Sequence, residues 1–221
     1  EIFERGDPDM TGGGTVEIVT LDSVVWAEPP EREEAGSPNT VGAIALAAAL
    51  RQLSMVSMEA VAAHEAELTA YALQRLAGIP EVRIYGDRDP GRAAHRLGVI
   101  PLQLTTTPHF LASAILGYEF GIGVRSGCFC AHPYILHLLG LSHEEAAQVR
   151  ATMLAGDRSD MPGLIRASFG LYNTLEEVDI FVDALQRITR GDYQGQYTQD
   201  IASGEYTPLG WTPAYNQYFS L

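Results

Sequence analysis

The chain has 221 residues, 46% of them hydrophobic, which is enough to bury a core as one domain or as a small domain with appendages. Fourteen basic residues stand against 28 acidic ones, a net charge of −14, and this argues against nucleic-acid phosphates or an anionic membrane as partners. No window is long and apolar enough to cross a bilayer and no secretory pattern opens the chain, so a soluble, cytoplasmic protein is expected. Every basic residue is an arginine; the sequence holds no lysine.

In chain order, residues 11–15, Thr-Gly-Gly-Gly-Thr, offer consecutive backbone N–H groups that no side chain shields, with the Thr15 hydroxyl beside them. They read either as a flexible turn before a strand over 16–19 or as an anion nest. Residues 29–40 are too rich in proline and charge for a helix and read as an ordered loop or a linker. Residues 41–54 are apolar and alanine-rich on all sides, which predicts a buried helix. Ser57 is placed to cap a second helix with Glu59 in its first turn; Val61, Leu68, Ala72 and Leu76 share one face before Gly78 and Pro80 end it. His64, within that helix, reads as a satisfied histidine rather than a ligand. Alternation predicts strands over 82–85 and 99–104 around a turn at 87–91. Thr107 with Pro108 is expected to cap a helix that carries Leu111, Ile115 and Leu116 on one face and stops at Gly121.

The densest chemistry follows at 121–133, Gly-Ile-Gly-Val-Arg-Ser-Gly-Cys-Phe-Cys-Ala-His-Pro, which contains both cysteines. Residues 121–124 read as a short strand, Arg125 to Gly127 as a polar loop and Pro133 as the start of a new element. A thiol on such a loop, next to an arginine and opposite free N–H groups, ionises more readily, and the thiolate is the nucleophile. Two other readings stay open: inert buried thiols, or a metal shared by Cys128, Cys130 and His132. If the segment is extended, Cys128 and Cys130 point the same way and can exchange sulfur or form a strained disulfide; if it is a turn, only one need face a site.

Beyond the loop, Ser142 with Glu145 and Thr174 with Glu177 spell two capping boxes, and residues 164–169 read as a strand between them. Val178, Phe181, Val182 and Leu185 make the cleanest helical stripe in the chain. Short strands with covering helices predict a two-layer α+β domain. Arg166 is a charge on a half-buried strand and needs a partner, either an acidic side chain or a bound carboxylate. Residues 191–221 are rich in tyrosine, and an ordered extension is expected there, because so many aromatic rings need a surface to cover.

The run Arg125 to Pro133 resembles the catalytic-cysteine loop of the cysteine desulfurases and selenocysteine lyases within the class V aminotransferases, which carry Arg-x-Gly-x-x-Cys followed closely by proline. The likeness implies that Cys130 is the persulfide-forming nucleophile and that Cys128 occupies a position often held by histidine; Arg125 is an accessory candidate. Gly-Cys-Phe-Cys also resembles the desulfurase domain of molybdenum cofactor sulfurases. Ile165 to Glu177 resembles the family's C-terminal motif, whose arginine, here Arg166, holds the substrate α-carboxylate. Arg32, Glu34, Gly36, Pro38 and Asn39 match a segment that lies at the active-site rim in the family, which makes Asn39 a further accessory candidate. Gly14 and Thr15 match a stretch that reaches across a dimer to the phosphate of the partner's pyridoxal phosphate.

The resemblance implies the C-terminal small domain of a fold-type I enzyme with a short piece of the large domain. Residues 1–40 would end the large domain and supply the active-site loop, 41–190 would form the α+β domain and 191–221 the extension. It implies pyridoxal 5′-phosphate as cofactor, cysteine or selenocysteine as substrate, a homodimer with shared sites, and a sulfur-acceptor protein. In the family a lysine holds the cofactor, and this chain has none, so the C-terminal part of a longer protein is expected. The alternatives are an aminotransferase or epimerase of the same fold that has no use for Cys130, or a lysine-less binding or assembly module.

Overall fold

The glycine-rich turn runs into strand β1, Val16–Val19, which pairs antiparallel with β2, Val24–Trp26. The structure is a computed structural model that describes residues 6–214, and the chain divides into two compact units, Glu1–Met58 and Glu59–Leu221. In the first unit the proline-rich loop contains one short 3-10 turn, Glu31–Glu33, before helix α1, Thr40–Val56. Asn39 caps α1, its side-chain oxygen accepting from the Gly42 N–H at 2.9 Å. The predicted burial of this helix is not found: none of its residues is buried, and Val41, Ile44 and Met55 are 80%, 66% and 72% exposed. Apolar residues all round a helix say that it needs cover, and the small hairpin of its own unit cannot enclose it.

The second unit begins with helix α2, Met58–Leu76, which buries Leu68, Thr69, Ala72, Leu73 and Leu76. His64 on it is satisfied as expected, its Nε2 lying 2.9 Å from the Asn173 carbonyl oxygen. Strands β3, Val82–Ile84, and β4, Val99–Leu104, follow, and between them the expected turn becomes a 3-10 segment, Pro90–His95, capped by Asp89. Helix α3, His109–Phe120, stops at Gly121, which takes the left-handed backbone (φ +67°) that its end requires. Its N-cap position is Pro108, with no side-chain cap, so Thr107 lies one residue too early for the role expected of it.

Strand β5 is Arg125–Gly127, three residues after the apolar Ile122 that suggested a strand at 121–124. Pairing with β6, Leu164–Ser168, fixes its place rather than hydrophobicity, since only 125–127 make the ladder. Helices α4, His132–Leu139, and α5, His143–Leu154, lie between these strands in sequence, and α5 has the predicted Ser142–Glu145 capping box. Helix α6, Leu175–Thr189, has the Thr174–Glu177 box and buries Val178, Phe181, Val182, Leu185 and Ile188. Each of those five side chains stabilises the fold by about 1.5–3 kcal/mol on burial.

The sheet is antiparallel with order β3-β4-β6-β5. Ile100 opposes Ala167 and Leu102 opposes Ile165, and all four enter one core with residues of α2, α3 and α6. Because side chains alternate, Arg166 and Leu164 lie on the opposite face, Arg166 with Pro101 and Arg125 as its register partners. A second, smaller cluster of Leu164, Cys128, Tyr85 and Ile135 occupies that region. Within the extension, strands β7, Tyr197–Gln199, and β8, Tyr206–Pro208, pair antiparallel; its last residues, 215–221, lie outside the described residues.

Candidate active site

The two cysteines go to different environments. Cys128 is buried, 5% exposed, and its thiol donates to the Pro162 carbonyl at 3.0 Å; burial pushes its pKa up, away from thiolate formation. Cys130 is exposed. The chain between them is a turn rather than an extended segment: Phe129 and Cys130 both take left-handed backbone, φ +51° and +58°, and the Ala131 N–H closes the turn on the Cys128 carbonyl at 2.8 Å. Of the two geometries the sequence left open, the turn is the one found, and it turns one sulfur inward and leaves the other in solvent. Among the described residues, no group of three His, Cys, Asp or Glu side chains is placed to hold a metal ion.

Arg166 is half-buried in mid-strand, and its guanidinium lies over the Phe129 ring, 5.2 Å from the centroid. Phe129, the residue between the cysteines, therefore lays one face of the loop on the arginine. The buried Nε of Arg166 has no hydrogen-bond partner among the described residues. Arg125 stands directly opposite Arg166 across the β5–β6 ladder, so two guanidinium groups occupy one face with no acidic side chain paired to either among the described residues. Like charges directly opposite repel, and a bound anion relieves that repulsion. A carboxylate fits the planar fork of an arginine through two parallel hydrogen bonds.

The segment that receives the Cys128 thiol is held from a second side. His109 Nε2 lies 2.8 Å from the Met161 carbonyl oxygen and so carries the proton, while burial lowers its pKa against the raising effect of that same bond. Gly163 has no room for a side chain: a Cβ there would meet the Gly127 Cα at 2.6 Å and the His109 ring at 2.7 Å. Neither Phe129 nor His109 was singled out from the sequence. Phe129 stood in the motif only as a spacer, and a histidine that opens a helix carries no local signal.

In the first unit, Thr15 is fully buried, and its hydroxyl donates to the Gly12 carbonyl at 2.7 Å while accepting from the Gly12 N–H at 3.2 Å. Its oxygen is thus engaged inside its own turn. The exposed backbone of Gly13 and Gly14, the latter at φ +94°, is what this turn offers an anion. Asn39, the other accessory candidate, uses its side-chain oxygen as the α1 cap.

The sequence model of the family described as Aminotransferase class-V matches residues 1–181. The chain belongs to the class-V aminotransferase family. Among characterised members, a cysteine desulfurase from Escherichia coli is 36% identical over 190 residues, and one from Dickeya dadantii is 35% identical over 185. Those alignments take in 86% and 83% of this chain but 40% and 38% of the relatives, so the chain spans about two fifths of their length. The fold matches the apo cysteine desulfurase of Thermococcus onnurineus with a TM-score of 0.69 at 33% identity, over 86% of this chain and 41% of that one. It matches an Escherichia coli cysteine desulfurase in an S-sulfonic acid form with a TM-score of 0.68 at 26% identity, over 87% and 41%. Class-V aminotransferases of the fold-type I class use pyridoxal phosphate. Taken separately, the second unit offers an unpaired buried arginine nitrogen that fits a substrate anion and the first an exposed glycine backbone that fits a phosphate, but neither offers the covalent attachment, because the chain has no lysine.

Proposed function

We propose that this chain is the part of a pyridoxal-phosphate-dependent cysteine desulfurase that supplies the sulfur-accepting thiol, Cys130, and the carboxylate anchor, Arg166. The observation that carries the reading is Arg166 lying against Phe129, beside the exposed thiol, with its buried Nε unpaired. An anion seated on Arg166 is thereby brought to the loop that carries Cys130. When bound, pyridoxal phosphate supplies the electron sink that weakens bonds at the substrate's carbon skeleton. Arg166 binds and orients the α-carboxylate, with Arg125 adding positive charge to the same face. Cys130, exposed on its loop, attacks the substrate sulfur, the thiolate being the nucleophilic form of a cysteine. The new S–S bond forms as the substrate's C–S bond breaks, and the electron pair stays with carbon. That carbon takes a proton and leaves as alanine, with a persulfide on Cys130.

The position of Cys130 at an exposed loop tip suits transfer of that sulfur to an acceptor protein. By family likeness, the turn of Gly14 and Thr15 serves the site of a partner subunit in a homodimer, the exposed Gly14 backbone facing the anion and the buried Thr15 hydroxyl holding the turn in shape. The test is sulfur release from L-cysteine by the full-length protein, with alanine as co-product. Alanine and sulfur formed in equal amounts are expected; transamination that survives Cys130→Ala would move the protein to the aminotransferase reading.

A further inference from the structure

We propose that the C-terminal hairpin of β7 and β8 is a brace for the cysteine loop, which makes Arg158 and Gln199 positioning residues for Cys130; this rests on the reading of Cys130 as the nucleophile. The hairpin lies beyond residue 181, where the family match ends. At its base, the Glu119 carboxylate on α3 accepts from the Gln194 and Gly195 N–H groups at 2.9 Å each and from the Tyr197 hydroxyl at 3.0 Å. At its tip it grips the 158–159 segment. The Arg158 N–H donates to the Ile201 carbonyl at 2.8 Å, the Arg158 guanidinium to the Ala202 carbonyl at 2.7 Å, and the Gln199 amide to the Ser159 carbonyl at 2.8 Å. Gly204 seals the contact, since a Cβ there would meet the Arg158 carbonyl oxygen at 2.5 Å and the Phe110 ring at 2.8 Å.

Two residues further on, the same segment becomes the support of the loop. The Met161 carbonyl takes the His109 N–H, the Pro162 carbonyl takes the Cys128 thiol, and Gly163 packs against Gly127. The loop needs such support. Phe129 and Cys130 are consecutive non-glycine residues in left-handed backbone, a conformation that persists only where the surroundings over-determine it. The brace acts through the 158–163 segment, then through Cys128, on the residue two positions away.

The test uses the full-length protein and reads native-state alkylation of each cysteine by iodoacetamide with peptide mass spectrometry. Arg158→Ala and Gln199→Ala should each speed alkylation of Cys128 about fivefold or more, the scale set by loosening one hydrogen-bonded anchor. Arg158→Lys, which keeps a donor for the Ala202 carbonyl, should restore protection. In sulfur release, both alanine variants should lower kcat about tenfold with KM for cysteine nearly unchanged, because Arg166 is untouched. Leu185→Ala, a core truncation outside the segment, provides the comparison once the alkylation due to global unfolding, fixed by each variant's own urea curve, is subtracted. The proposal is overturned if Cys128 stays protected in both alanine variants, or if Leu185→Ala exposes it equally. Absence of sulfur release in the unaltered protein would end the desulfurase reading instead, and the alkylation result would still decide the brace.

Discussion

Arg125 and Arg166 face each other across the β5–β6 ladder, two cations on one sheet face with no carboxylate paired to either among the described residues. Removing Arg166 takes away a charge-assisted pair of hydrogen bonds, so Arg166→Ala should raise KM for cysteine by about 10- to 100-fold. Arg125→Gln should do less to KM and should stabilise the substrate-free protein by a few tenths of a kcal/mol, up to about 1 kcal/mol, in urea denaturation. A destabilised Arg125→Gln protein would contradict the repulsion.

Cys130→Ser should abolish sulfur release, while Cys128→Ser should retain much of it, because only the first sulfur is exposed and the second serves as a hydrogen-bond donor to Pro162. A hydroxyl can make that same bond. Cys128→Ser as the dead variant, with Cys130→Ser active, would reverse the assignment.

Cys128 also sets a direction for alkaline stability. Its pKa is raised in the folded chain by burial, so above the ordinary thiol value the unfolded chain has released a proton that the folded chain still holds. Stability contributed by this group is present at neutral pH and falls as pH rises through the folded pKa. Urea midpoints measured from pH 7 to 10 should therefore drop more steeply in the parent than in Cys128→Ala; parallel curves would refute the assignment.

Glu119 sets the opposite direction. Burial pushes its carboxyl up, but the Gln194 and Gly195 N–H groups, the Tyr197 hydroxyl and the Arg187 charge outweigh it and leave the pKa below the ordinary value. A depressed acid stabilises above its unfolded pKa and loses that contribution as pH falls through the folded one. The hairpin should thus detach early in an acid titration, seen as a rise in Trp211 solvent exposure; Glu119→Gln, with no carboxyl to titrate, should loosen the hairpin already at neutral pH and flatten that acid step. A tryptophan signal that changes only with global unfolding would exclude this.

Leu185 is fully buried among the side chains of α6 and the sheet, and Leu185→Ala should destabilise by about 2–5 kcal/mol in urea denaturation. A loss under 1 kcal/mol would mean that the site collapses around the gap.

What was legible in the sequence was local. The Ser142–Glu145 and Thr174–Glu177 boxes and the limits of β1 and β4 follow from residues that contact one another within a few positions. The Arg166 strand was legible too, since a charge between Ile165 and Ala167 marks the face that leaves the core. What was not legible depended on distant partners. Residues of α1 look buried on composition, yet exposure is set by what packs there. Strand β5 sits on its polar residues because β6 pairs with them, and Cys128 turns inward because Pro162, 34 residues later, offers it a carbonyl. Left-handed backbone at Phe129 and Cys130 carries no glycine or asparagine to announce it.

That backbone makes cysteine a poor choice at position 130 on grounds of thermal robustness. Glycine adopts φ near +58° without a Cβ penalty, so Cys130→Gly removes a conformational burden of about 1 kcal/mol. Directed evolution for heat resistance alone would drift towards glycine at 130 and discard the exposed thiol, whereas a screen for sulfur release, the role proposed for Cys130, would keep it. The loop is a place where the two pressures separate.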